Sequence, residues 1–225
     1  MSQCLVVNRK VLGSLPLWQR LCGPNGTIST AIALSSDEVE ELLGLVEQQG
    51  IFMEREGTDG VERKPEWQQV IFYALIVQGN RFFVYHRGGG TAYKKVRLQG
   101  KLSAGVGGHI EPFDTNLIDS LYRELDEEVM FTRNKKAIPF RGDIRIIGLI
   151  KDDKDDVGRV HVGFVCLVEL KDSDIEIALG DEENVRGWMV TLTEYHDLVS
   201  SQQYVPENWT TLLVEHIATP LLKSC

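Results

Sequence analysis

The segment GGHIEPFDTNLIDSLYRELDEEVMF, running from Gly107 to Phe131, decides how the rest of the chain is read. Ile118, Leu121, Leu125 and Val129 recur at three- and four-residue intervals, so a helix gathers them on one face. Glu124, Glu127 and Glu128 stand at i, i+3 and i+4 and converge on a neighbouring face. Like charges at that spacing destabilise a plain surface helix. An isolated acidic run is usually just a solvated face, but here it has company. Arg123 lies one turn before Glu127, where it can hold that carboxylate. Asp114, Thr115 and Asn116 all suit an N-cap, and Gly107-Gly108 lets the backbone approach a ligand closely. A cation among the three acids accounts for the set, and all-oxygen clusters suit Mg²⁺, Mn²⁺ or Ca²⁺.

These residues resemble the signature of the Nudix hydrolases, G-x5-E-x7-R-E-U-x-E-E-x-G-U with U a bulky apolar residue. Gly108, Arg123, Glu124, Leu125, Glu127, Glu128 and Phe131 fit it. Asp114 stands where the pattern has Glu, eight residues instead of seven separate it from Arg123, and Met130 replaces Gly. The resemblance implies an α/β/α sandwich with a mixed β-sheet, and hydrolysis of a phosphoanhydride with Mg²⁺ or Mn²⁺ as cofactor. The implied metal ligands are Glu124, Glu127, Glu128 and the Gly107 carbonyl. The proton acceptor is left open between Glu124, Glu128 and a later loop acid such as Glu183, and Arg123 orients Glu127. Asp114 is expected to cap or steady the helix. The surplus spacer residue should be taken up before the first turn, in Pro112 to Asn116, with the helix starting near Thr115 or Asn116. Absorbed inside the helix, it would rotate the acids by about 100°.

The 225 residues are enough for a sizeable core, as one large domain or one domain with an elaboration. A formal charge of −9 and a pI near 5.1 argue against a general nucleic-acid or anionic-membrane surface. They leave room for a small phosphorylated partner held through a metal. No stretch has the length of a membrane span or the pattern of a secretory leader. Cys4, Cys22, Cys166 and Cys225 have no metal or redox spacing, so reduced thiols in a cytoplasm are expected. A homodimer is the one assembly kept open.

Outward from the acidic segment, Gln69 to Val77 and Arg81 to His86 read as a hairpin about Gln78-Gly79-Asn80. Lys94, Lys95, Arg97 and Lys101 form the most basic patch. It is a solvated edge or, with Arg97, a place to neutralise phosphate. Gly108 and His109 are candidate substrate contacts, with a hydrogen bond inside the loop as the plainer role for His109. Asp143 to Lys151 and Arg159 to Leu170 read as paired strands around a charged hairpin tip at Asp152 to Gly158. Glu182 and Glu183 precede a Trp188 strand, and helices are expected over Thr193 to Val199 and Glu207 to Thr219.

Residues 1–65 are expected to elaborate a core formed by 66–225. Leu5 to Leu12 could be a strand, and Ser35-x-x-Glu38 is a capping box for a helix over Asp37 to Gln49. Strands interleaved with a few helices, through hairpins, argue for a mixed sheet with helices on its faces. A metal-dependent phosphoanhydride hydrolase acting on a nucleotide-like substrate is the expected function. A non-catalytic ligand-binding or regulatory module on the same fold is the alternative.

Overall fold

A computed structural model describes residues 2–22, 27–86, 100–114, 116–140, 142–179 and 186–223. The chain opens with β1 (Gln3–Asn8), which stops where the Asn8 side chain accepts the Lys10 amide and starts α1 (Arg9–Leu12). The strand expected over Leu5 to Leu12 is therefore halved, because the Asn cap favours a helical turn over further extension. Then come α2 (Pro16–Leu21), β2 (Ser29–Ala33), α3 (Ser36–Gln49) and β3 (Ile51–Glu54). The capping box is present: the Ser35 hydroxyl accepts the Glu38 amide while the Glu38 carboxylate accepts the Ser35 amide.

The hairpin forms as read. β4 (Trp67–Gln78) and β5 (Arg81–His86) pair Gln78 with Arg81 across a two-residue turn, with Gly79 at a φ of 59°. Next follow β6 (Lys101–Ser103), β7 (Gly105–Val106), α4 (Leu117–Glu128), β8 (Val129–Arg133) and β9 (Lys136–Ile138). The second pair is β10 (Ile144–Asp152) and β11 (His161–Glu169), with the one-turn α5 (Asp156–Arg159) between them. After β12 (Ile175–Leu179) and β13 (Arg186–Thr191) come α6 (Leu192–Ser200) and β14 (Val205–Pro206). The chain closes with α7 (Asn208–Leu213), a π turn and α8 (Thr219–Lys223).

Two compact units share this chain, neither a single run of sequence. One comprises residues 1–73, 108–121 and 146–166. In it β1 lies antiparallel to both β3 and β4, and β2 antiparallel to β10. Phe72 and Phe164 meet edge-on in its core with centroids 6.0 Å apart, and Cys4, Val6 and Val61 form a satellite cluster. The other unit comprises 74–107, 122–145 and 167–225. There β13 and β4 pair antiparallel with β5, while β14 joins β6 in parallel. A separate antiparallel sheet of order β12-β8-β9 follows the acidic helix. Its strands are short, and alternation too brief to register left them unread in the sequence. The fold class is α/β with a mixed sheet. Among the described residues no helix is long and apolar enough to cross a membrane.

The charged segment Asp152 to Gly158 lies between β10 and β11 as read, and its base is anchored in the core. Lys151 and Asp152 are wholly buried. Lys151 Nζ donates to Asp153 Oδ1 at 2.6 Å and to the Gly158 carbonyl, while Arg9 Nη1 donates to the same Asp153 oxygen at 2.9 Å. A Cβ on Gly158 would fall 2.0 Å from the Asp152 carbonyl, so only glycine lets the turn fold onto this knot. At its base Lys151 and Asp153 are drawn inward because each has a partner, while Lys154, Asp155 and Asp156 stay exposed at the tip.

Candidate functional site

The acidic helix begins at Leu117, one residue after the start expected near Thr115 or Asn116. The Asn116 side chain accepts the amides of Ile118 and Asp119 at 3.0 and 2.9 Å, which makes it the cap of α4. Before it, Asp114 Oδ2 accepts the Glu111 amide at 2.8 Å and the Asp114 amide donates back to the Glu111 carbonyl. Asp114 thus steadies the turn into the helix. Leu121 and Leu125 are buried as the periodicity requires, and buried Val129 begins β8 instead of extending the helix. In its own unit, Tyr122 is held by its hydroxyl donating to the Gly142 carbonyl at 2.9 Å.

That packing leaves Arg123 and the three glutamates on the opposite side. Arg123 Nη1 donates to Glu124 Oε1 at 2.8 Å and to Glu127 Oε2 at 3.3 Å. The Glu124 side chain is only 12% exposed, whereas Glu127 is 59% exposed. Burial pushes the Glu124 carboxyl up to about 7; the Arg123 guanidinium opposes the rise, and the charges of Glu128 and Glu127 reinforce it. One guanidinium therefore contacts two of the three carboxylates. Arg123 reaches Glu124 as well as Glu127, a contact between sequence neighbours that helical spacing does not suggest.

Gly107 sits at a φ of 140°, open to glycine alone, and its amide donates to Glu128 Oε2 at 3.4 Å. The expected contact was through the carbonyl; the contact described is made by the N–H. Among the described residues, no three of His, Cys, Asp and Glu gather closely enough to hold a metal ion. Glu127 and Glu128 are exposed and on the same helix as Glu124. The donor set nevertheless fits a hard divalent cation: it is all oxygen, partly desolvated and short of positive charge.

The remaining candidates divide. The Gly108 carbonyl accepts the Phe72 amide at 3.1 Å as part of the backbone ladder. His109 reaches beyond its own loop: its Nε2 lies 3.0 Å from Gln69 Oε1 and 3.1 Å from His161 Nε2. His161 is buried, which pulls its pKa below the usual histidine value, and its Nδ1 is 2.6 Å from the Val157 carbonyl. Residues 69, 109 and 161 are too far apart in sequence for any spacing to reveal this cluster. Arg97, Glu182 and Glu183, with Lys94 and Lys95, lie outside the described residues.

No protein-family profile matches the chain. Protein YmaB of Bacillus subtilis (strain 168) is 31% identical over 163 residues, covering 68% of this chain and 73% of YmaB. The chain belongs to the YmaB family. Among solved structures, Tm1382, described as a candidate Nudix hydrolase, superposes with a TM-score of 0.68 at 22% identity, over 99% of both chains. The fold of this YmaB-family chain is thus the Nudix fold. A bifunctional NMN adenylyltransferase/ADP-ribose pyrophosphatase of Francisella tularensis, complexed with AMP and a Mn ion, gives a TM-score of 0.46 at 16% identity. That match covers 70% of this chain and 42% of the other.

Proposed function

We propose that this YmaB-family protein hydrolyses a phosphoanhydride, in a diphosphate joined to a nucleotide-like moiety, with Mg²⁺ or Mn²⁺ as cofactor. The observation that carries the reading is the pairing of Arg123 with both Glu124 and Glu127 on a helix whose third acid, Glu128, is held by the Gly107 amide. Glu124, Glu127 and Glu128 would hold the ion, with a backbone group of Gly107 beside them. A bound divalent ion supplies charge neutralisation on phosphate oxygens and a lowered pKa for water.

The chain's own residues have defined tasks. Arg123 fixes the two carboxylates it touches, so that the charge pattern is set before substrate arrives. In the reaction a water oxygen forms a bond to phosphorus while the bridging P–O bond breaks, giving two phosphate ends. The water's proton goes to a carboxylate: Glu124, Glu128 or the loop acid Glu183. Separate pH–rate profiles of Glu124→Gln and Glu128→Gln distinguish the first two. Gly108, His109 and Arg97 remain proposed as contacts for the substrate's phosphates.

The metal is tested in the intact protein. Mg²⁺ or Mn²⁺ should raise the melting temperature, because an ion bound only by the folded state stabilises it. The triple change of Glu124, Glu127 and Glu128 to Gln should abolish that rise. A triple variant with the full rise would put the ion elsewhere. One observation favours a second reading, a binding or regulatory module that does not cut its ligand: the three carboxylates are not gathered at one point. Tight binding of a nucleotide diphosphate derivative without turnover would establish that alternative.

A further inference from the structure

Three side chains far apart in sequence converge at one partly buried point inside a single unit. His109 Nε2 lies 3.1 Å from His161 Nε2 and 3.0 Å from Gln69 Oε1. Gln69 is completely buried in β4, and His161, the first residue of β11, is 5% exposed. His109 is tied to β4 through a backbone bridge with Ile71. We propose that His109 Nε2, His161 Nε2 and Gln69 Oε1 are the protein ligands of one borderline transition-metal ion of the Zn²⁺, Co²⁺ or Ni²⁺ class.

Tautomer and spacing both support this. His161 Nδ1 is 2.6 Å from the Val157 carbonyl, an acceptor only, so Nδ1 carries the proton and Nε2 presents its lone pair. An N–H donated to a backbone carbonyl is the usual outer support of a metal-bound imidazole. Two nitrogens on one tetrahedral ion at 2.0–2.1 Å stand about 3.3 Å apart, close to the separation already present. Without an ion, a single proton on His109 Nε2 must serve two acceptors at once. Gln69 Oε1 is turned to the node and also accepts from Cys4 Sγ at 3.4 Å.

The donor set also defines the ligand class. Two imidazoles and an amide oxygen suit borderline ions, whereas Mg²⁺ prefers an all-oxygen shell. Among the described residues no further His, Cys, Asp or Glu joins them, so the ion keeps an open coordination position. Gln69 and His161 sit on the neighbouring strands β4 and β11, and the bridge from Ile71 holds His109 beside them before the ion arrives.

The test uses full-length protein with ¹⁵N-labelled histidine, titrated with Zn²⁺, and with Co²⁺ for optical bands. Of the five histidines, two should shift their Nε2 resonances together at one equivalent of Zn²⁺. One of these should be missing in His109→Gln. Co²⁺ affinity in that variant should fall on the order of 10²-fold, the upper end of losses seen when even an outer partner is removed. His161→Gln should behave alike if circular dichroism shows it folded; the wild-type resonances decide the matter if it is not. The triple change of Glu124, Glu127 and Glu128 to Gln should leave the Zn²⁺-dependent imidazole shifts in place. Unmoved imidazole resonances would overturn the proposal. So would shifts confined to His86, His196 or His216, or Zn²⁺ binding that survives His109→Gln and vanishes in the triple variant.

Discussion

At the scale of single residues, Arg123 decides how much negative charge the acidic helix can keep. It lies between a nearly buried carboxylate and an exposed one. Arg123→Ala should lower turnover by roughly 10–100-fold, as when the support of a metal ligand is lost. Steady-state kinetics at saturating Mg²⁺ check this, and unchanged kcat would remove Arg123 from the mechanism. Lys151 offers a test on pH. Burial holds its pKa down at about 8 against an ordinary 10.5, although Asp153 favours the charged form. Between those two values the unfolded chain binds the proton that the folded one has released. This group's contribution to stability therefore rises with pH over that window and is flat below it. Urea titrations of wild type minus Lys151→Met should show the rise, and a flat difference would contradict it. Arg123 was legible in the sequence because it stands at helical spacing from Glu127. Lys151 was not, because nothing local announces that Arg9 will supply the second cation around Asp153.

At the scale of elements, the entry to α4 carries the departure from the family pattern. α4 starts at Leu117 just after the Asn116 cap, and Leu121 and Leu125 share its buried side. Asn116→Ala removes the cap and should cost about 1 kcal/mol of stability. A variant as stable as wild type would mean that another group caps the helix. Gly107→Ala forces a side chain into a φ of 140° and should cost about 1–3 kcal/mol, weakening metal binding as well because the amide leaves Glu128. The helix and both hairpins were legible because their periods run long enough to declare themselves. The β12-β8-β9 sheet was not, since three- and five-residue strands cannot be told from loop by alternation. The site was half legible: spacing put the acids on one helix face, but side-chain rotamers decide whether their tips meet.

At the scale of the whole molecule, we propose that residues 1–65 are an elaboration on a core of 66–225 that the core still needs. β1 covers β4 in register from Val6 opposite Gln69, and the Leu5 amide donates to the Ile110 carbonyl. A 66–225 fragment should therefore lose cooperative unfolding, since it bares a strand edge and leaves Asp153 without Arg9. Cooperative melting at the full-length temperature would refute that dependence. The central claim is chemical. Full-length protein should be incubated with Mg²⁺ or Mn²⁺ and a panel of nucleoside diphosphate derivatives, dinucleoside polyphosphates, CoA and oxidised nucleotides, with phosphate-ended products followed. The account predicts cleavage of at least one panel member at the anhydride. It also predicts a loss on the order of 10²-fold in Glu127→Gln and Glu128→Gln, with the fold unchanged. Tight binding of a panel member with no turnover in wild type, or full turnover in both variants, would contradict it.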